Sequence, residues 1–260
     1  MARRLLAFGY GAACYAVFLA AFGYTVCFLA GVAVPKGIDD GVMGPVWLAV
    51  TVDSGLLLLF AVQHSVMARP WFKRQWTPLV PQPVERSTYV LASTLVLVLL
   101  MYLWRPLPHP VWSVAGWSRT ALWTVYLAGW VLVLASTFAI DHFDLFGLRQ
   151  VIARATERRY EAPGFRIPLL YRLVRHPLML GFLVVFWVAP HMSVGRLLFA
   201  AGSTAYIVVG VRFEERDLSS QLGESYRRYR NEVPGYLPRV PLRRASSGAA
   251  GMGNAEMTER

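Results

Sequence analysis

Long apolar stretches, cut by short polar ones, set the pattern of this chain. Residues 5–34 carry no charge, 45–67 carry only Asp53, and 87–104 and 120–140 again carry none. An uncharged run of about 18 residues or more is long enough to cross a bilayer as a helix. A fifth block, 178–211, is interrupted at Pro190-His191 and by Arg196. It reads as two short helices folded into a hairpin. The pattern predicts an all-α, polytopic integral membrane protein: four full transmembrane helices plus a C-terminal helical hairpin. The first apolar run far exceeds the roughly 7–15 residues of a cleaved signal core. Ser87 follows Arg86 and stands where an N-cap of the third span belongs.

The polar connections are unequal. Two of them, 35–45 and 105–119, are short. The segment 68–86 mixes Trp71, Phe72 and Trp76 with Arg69, Lys73, Arg74 and Arg86, a composition suited to lying on lipid headgroups. The longest connection, 141–177, is basic and aromatic, with a turn-rich centre at 162–168. Residues 1–244 read as one membrane domain. The Ser/Gly/Ala-rich stretch 245–260 reads as a disordered tail.

Composition adds the orientation. Charged residues make up only 16% of the chain, yet the net charge is +11. With the N-terminus placed inside, 21 of the 26 Lys and Arg residues fall on inner segments and four (Lys36, Arg105, Arg119 and Arg196) on outer turns; Arg212 stands at an inner helix end. That asymmetry predicts both termini in the cytoplasm, with the basic charge facing membrane lipids and not nucleic acid. Cys14 and Cys27 lie on one predicted helix, about 20 Å apart, too far to bridge. The five histidines have no ligand spacing, so no metal site is expected.

Candidate chemistry gathers on the inner side. Pro177 suits the first turn of a helix, which puts His176 at the cap with open N–H groups beyond it, a natural place for an anion. Arg212, Glu214 and Glu215 end the other arm of the hairpin. An antiparallel hairpin brings both feet together and makes a mixed pocket for a zwitterionic ligand carrying hydroxyls. The same residues also suit plain interfacial anchors, with Glu paired to Arg. His142, between Asp141 and Asp144, is a candidate general base and equally a capping or interfacial residue. His64 is a second candidate.

The run "LYRLVRHPLMLGF", followed by "EERDLSSQLGESYRRYRNEVPGYLP", resembles the C-terminal signature of the isoprenylcysteine carboxyl methyltransferase and phospholipid methyltransferase group. Met179 departs from it, since that group has an aromatic there. Further upstream, "QHSVMARPWFKRQW", "ERSTYVLASTLVLVLLMYLWRP" and "DHFDLFGLRQV" resemble the nurim-like family, whose bacterial members include methanethiol S-methyltransferases; the likeness spans residues 5–240. The resemblance implies methylation of methanethiol by S-adenosylmethionine, giving dimethyl sulfide. It implies that Tyr171, Arg175, His176, Pro177 and Leu180 line the cofactor site, and that Glu214 or Glu215 holds its ribose or amino group. Arg212 would meet the substrate or the cofactor carboxylate. Gln150 on the inner connection joins the cofactor-binding candidates, and Phe165, Tyr171 and Trp187 are aromatic faces able to hold a sulfonium. Catalytic roles would fall to His142, Asp141 and Arg212. Two other assignments suit the same residues: a membrane methyltransferase of a lipid or of a prenylated thiol or carboxylate, and a non-catalytic nurim-like membrane protein. Sequence leaves the oligomeric state open.

Overall fold

A computed structural model of the chain describes residues 1–162, 164 and 167–236. Phe165 and the tail 245–260 lie outside the described residues. The long helices are α1 (Ala2–Ala30), α2 (Val46–Ala68), α4 (Gln82–Leu103), α5 (Gly116–Ile140) and α10 (Val194–Leu222). Among the described residues these five are long and apolar enough to cross a membrane. Between them lie the short helices α3 (Pro70–Trp76), α6 (His142–Leu145), α7 (Leu148–Ala155), α8 (Leu169–Leu173) and α9 (Pro177–Trp187), with α11 (Glu224–Glu232) last. The helices bury one stripe each and turn large apolar residues outward, for example Leu58, Leu127 and Val131. In a bilayer those faces meet lipid, so their exposure costs nothing. The chain is a multi-pass integral membrane protein.

Two expectations need correction. The hairpin arms are not both short: α9 has 11 residues and α10 has 29. Charge does not break an α-helix, so α10 carries Arg212 through Asp217 as ordinary helix beyond its apolar part. Ser87 is not a cap either, because α4 begins at Gln82 with Pro81 before it. Ser87 is buried one turn further in and donates to the Gly147 carbonyl at 3.4 Å. Gly147 has φ 85°, and a Cβ there would stand 2.7 Å from the Ser87 nitrogen. Only glycine meets both demands.

The tip of the hairpin is tied to the α4–α5 connection. Strand β1 (Pro110–Ser113) pairs antiparallel with β2 (His191–Ser193), a ribbon that apolar periodicity does not announce. It brings the far end of the hairpin level with the turn between two full spans. Nearby, Arg196 bonds Asp39 and the Leu29 carbonyl, pinning the end of α1 to the start of α10. Lys36 donates to the Tyr102 and Trp104 carbonyls at 2.6 and 2.8 Å, a cation on a helix C-terminus where the macrodipole is negative.

α5 and α9 pack through glycine. A Cβ on Gly129 would lie 2.9 Å from Val185, and one on Gly181 2.8 Å from Val133 and 3.0 Å from the Gly129 carbonyl. Backbone cannot yield as a side chain can, so Gly181→Ala is expected to destabilise by about 1–3 kcal/mol through overpacking. A thermal midpoint in detergent equal to that of the unsubstituted protein would show that the two helices can separate freely.

Candidate active site at the feet of the hairpin

Pro177 starts α9 and His176 is its N-cap, with no side chain capping the end. The Leu180 N–H reaches the His176 carbonyl at 2.9 Å, closing the first turn over buried Pro177. The segment after α11 returns across this end. The Arg175 and His176 N–H groups donate to the Pro234 and Gly235 carbonyls at 2.8 and 3.1 Å. Arg175 Nη1 donates to the Arg230 and Val233 carbonyls at 2.7 and 2.6 Å.

The second foot arrives through α10. Arg175 meets Glu215 Oε1 through Nε at 3.0 Å and Nη2 at 2.8 Å. His176 Nε2 lies 3.0 Å from the same oxygen. A carboxylate only accepts, so Nε2 is the protonated ring nitrogen. These three side chains are 13%, 6% and 14% exposed for Arg175, His176 and Glu215. Arg230 approaches Glu215 Oε2 at 3.6 Å. Glu215 is therefore saturated by this chain's own cations, which is the anchor arrangement raised above.

Glu214 differs. Its side chain is 51% exposed, and its nearest partner among the described residues, His176 Nδ1, is 3.8 Å away, beyond a hydrogen bond. It is the free carboxylate of the pair. Its charge reaches three tyrosines, Tyr171, Tyr226 and Tyr236. Tyr236 lies 5.9 Å from the His176 ring. Burial, then the neighbouring charge of Glu214, pushes the Tyr171 phenol well above its ordinary range, so Tyr171 stays a neutral O–H. Tyr229 donates to the Tyr171 carbonyl at 2.6 Å and fixes α8 against α11. Tyr226 packs on Tyr229 and is buried. Arg212 is exposed, and its charge reaches Tyr236. Tyr226 and Tyr236 are additions to the candidate set, drawn in by a return of the chain that local pattern does not encode.

His142 stands in a second cluster. Its Nδ1 lies 2.9 Å from Thr137 Oγ1, and its Nε2 lies 2.7 Å from the Tyr15 hydroxyl. The Thr137 hydroxyl donates to the Leu134 carbonyl at 2.7 Å, so its oxygen accepts from Nδ1–H. Nε2 is then the lone pair, and it accepts from Tyr15. The ring is stacked on Phe138 at 4.3 Å. Burial lowers its pKa and Asp141 partly offsets this, so the imidazole is neutral at pH 7. Tyr15, mid-way along the first apolar run, is thus the partner of Nε2. The expected carboxylate support is looser than the sequence suggested. Asp141 pairs with Arg149 at 2.7 Å and acts on His142 through charge alone. Asp144 accepts from Tyr160 at 2.7 Å and from Gln150 at 3.1 Å.

The helix register relates the two clusters. Gly129 faces Val185 and Val133 faces Gly181; continued by one turn of antiparallel helix, Thr137 stands level with Pro177. Gln150 does not join the hairpin feet. Its amide, on the third residue of α7, is held by Asp144 and Tyr160. Trp187 is also remote, because it donates to Thr204 at 2.9 Å from the opposite end of α9.

The comparisons with known proteins place these residues in a family. The NnrU protein family matches residues 54–235, a stretch that takes in both hairpin feet and the returning segment. Methanethiol S-methyltransferase of Mycobacterium tuberculosis is 53% identical over 239 residues, 91% of this chain and 97% of that protein. Methanethiol S-methyltransferase 2 of Bradyrhizobium diazoefficiens is 48% identical over 244 residues, 94% of each chain. Nurim of Xenopus laevis is 29% identical over 239 residues, 80% of this chain and 83% of that protein. No solved structure gives a significant match. With the family match covering most of the chain and identities near one half over nearly all of it, the chain belongs to the NnrU protein family.

Proposed function

We propose that the chain is an S-adenosylmethionine-dependent thiol methyltransferase that converts methanethiol to dimethyl sulfide at the cytoplasmic face of the membrane. The observation that carries this reading is the free carboxylate of Glu214, held among tyrosine rings beside the Arg175–His176–Glu215 cluster. A zwitterion with a sulfonium fits such a donor set: a carboxylate for its ammonium or ribose hydroxyls, an uncapped helix end for its carboxylate, and π-faces for its sulfonium. The identity to methyltransferases named for methanethiol supports the substrate.

S-adenosylmethionine, when bound, supplies a methyl group on a positively charged sulfur. The residues of the chain do the rest. Glu214 holds the ammonium or ribose, and the open N–H groups past Pro177 with Arg212 hold the carboxylate. Tyr171 and Tyr236 flank the sulfonium, and buried Arg175 and Glu215 keep the wall in place. Transfer from sulfonium to thiolate removes two opposite charges, so a site shielded from water favours it, and alignment supplies much of the acceleration. A thiol must first lose its proton. That proton passes to the Tyr15 oxygen as the Tyr15 proton moves to His142 Nε2; the products are a thiolate and an imidazolium, the latter stabilised by Asp141.

Membranes containing the protein, given methanethiol and S-adenosylmethionine, should release dimethyl sulfide into the headspace, measurable by gas chromatography. Release no greater than from membranes carrying Glu214→Ala would end the proposal. Reporter fusions should place both termini in the cytoplasm; a C-terminal reporter found outside would move the site to the opposite face.

A further inference from the structure

A cavity of about 700 Å³ opens between α3, the start of α4 and α7. Of the cofactor candidates only Gln150 lines it. Its charge is one-sided: Lys73, Arg86, Arg154, Arg158 and Arg159 against Glu85 and Asp144. Both carboxylates are already engaged, Glu85 by Lys73 at 3.7 Å and Asp144 by Tyr160 and Gln150. Arg86 is held by the Leu145 carbonyl and lies over the Tyr89 ring. Among the described residues, Arg154, Arg158 and Arg159 have no acidic partner. These three exposed like charges within six residues make a local positive field that attracts an anion.

One further feature defines that anion. Gln150 Oε1 is buried with no hydrogen-bond partner. It can only accept, so the occupant must also carry a donor. The site lies on the face where exposed Trp71 stands on α3, an interfacial anchor. Pockets of this volume take molecules of headgroup size.

We propose that this cavity binds the headgroup of an anionic phospholipid that carries free hydroxyls. The phosphodiester lies against Arg154, Arg158 and Arg159, and a headgroup hydroxyl donates to Gln150 Oε1. Phosphatidylglycerol is the simplest probe.

The test is native mass spectrometry of the full-length protein in detergent with equal amounts of phosphatidylglycerol and phosphatidylcholine. The unsubstituted protein should retain phosphatidylglycerol with a preference of about tenfold or more. Each arginine near a lipid phosphate contributes roughly fivefold, so the triple variant Arg154→Gln/Arg158→Gln/Arg159→Gln should abolish the preference. Arg216→Gln/Arg227→Gln/Arg228→Gln removes the same charge elsewhere and should keep it. Should the first triple variant fold poorly, Gln150→Leu gives a second readout: it should reduce retention of phosphatidylglycerol but not that of phosphatidic acid, which lacks the hydroxyls. Equal retention of the two lipids, equal loss in both triple variants, or an unchanged Gln150→Leu would overturn the proposal. Full displacement by millimolar inorganic phosphate would do the same, assigning the cavity to a soluble anion.

Discussion

Glu214→Ala and Glu215→Ala, although neighbours in sequence, are expected to fail in different ways. Removing the Glu215 carboxylate leaves the Arg175 guanidinium and the His176 ring, 13% and 6% exposed, without their shared acceptor. Breaking a buried pair from one side costs roughly 3–5 kcal/mol, because the surviving charge stays desolvated. Glu215→Ala should therefore show a large fall in thermal midpoint, and any loss of cofactor affinity should follow from that. Glu214 has no such duty. It is half exposed and, among the described residues, hydrogen-bonds to no cation. Glu214→Ala should leave the midpoint nearly unchanged and weaken S-adenosylhomocysteine binding by about 1–2 kcal/mol, roughly 5–30-fold, the range for a charged hydrogen bond discounted for its exposure. Calorimetric titration alongside thermal melts separates the two. Unchanged affinity in a well-folded Glu214→Ala protein would remove Glu214 from the site.

The larger kinetic effect should come from the Tyr15–His142 pair. A general base contributes roughly 10²–10⁴-fold, and His142→Ala should reduce turnover by that order. Tyr15→Phe keeps the ring and loses only the hydroxyl that faces Nε2. It should produce a loss of similar order with cofactor affinity intact, which a merely structural His142 would not show. Burial lowers the His142 pKa, and this fixes the sign of two pH effects. The neutral, proton-accepting form persists below the ordinary imidazole value, so the acid limb of kcat/KM should lie below about 6.5. Between the lowered folded value and about 6.5, the unfolded chain binds more protons than the folded one. The stability linked to this histidine is therefore complete above about 6.5 and declines as pH falls toward the folded value. Both variants should recover at high pH, where the thiol is already ionised. pH–rate profiles parallel to the unsubstituted protein would mean that the thiolate arrives from solution.

Much of this architecture follows from short-range pattern. Apolar length marked the spans at 5–34, 45–67, 87–104 and 120–140, and Arg175-His176-Pro177 with Glu214-Glu215 marked the two feet. Antiparallel packing alone was enough to bring those feet together. The errors share a cause. Ser87 resembled a cap because a charge preceded it, but helix α4 tolerates Glu85 and Arg86 in its first turns. Charges on α10 looked like an ending for the same reason. Tyr15, 127 residues from His142, has nothing in its neighbourhood to distinguish it from a lipid-facing aromatic. Trp187 is near the feet in sequence but lies at the opposite end of α9 and bonds Thr204, and Gln150 on the inner connection is held by Asp144 and Tyr160. Tyr236 enters only through the return of the chain over Arg175.

That return has a consequence for how the protein is made. Every partner that holds Arg175 in place, from Glu215 to Pro234, is translated 40 to 59 residues after it. All the spans can thus be inserted in the bilayer while the foot of α9 still has no strap. The helical bundle can form before residues 233–235 return across Arg175. A chain clipped after Leu222 would keep Glu215 on Arg175 but lose the Arg230, Val233, Pro234 and Gly235 carbonyls that hold the foot of α9.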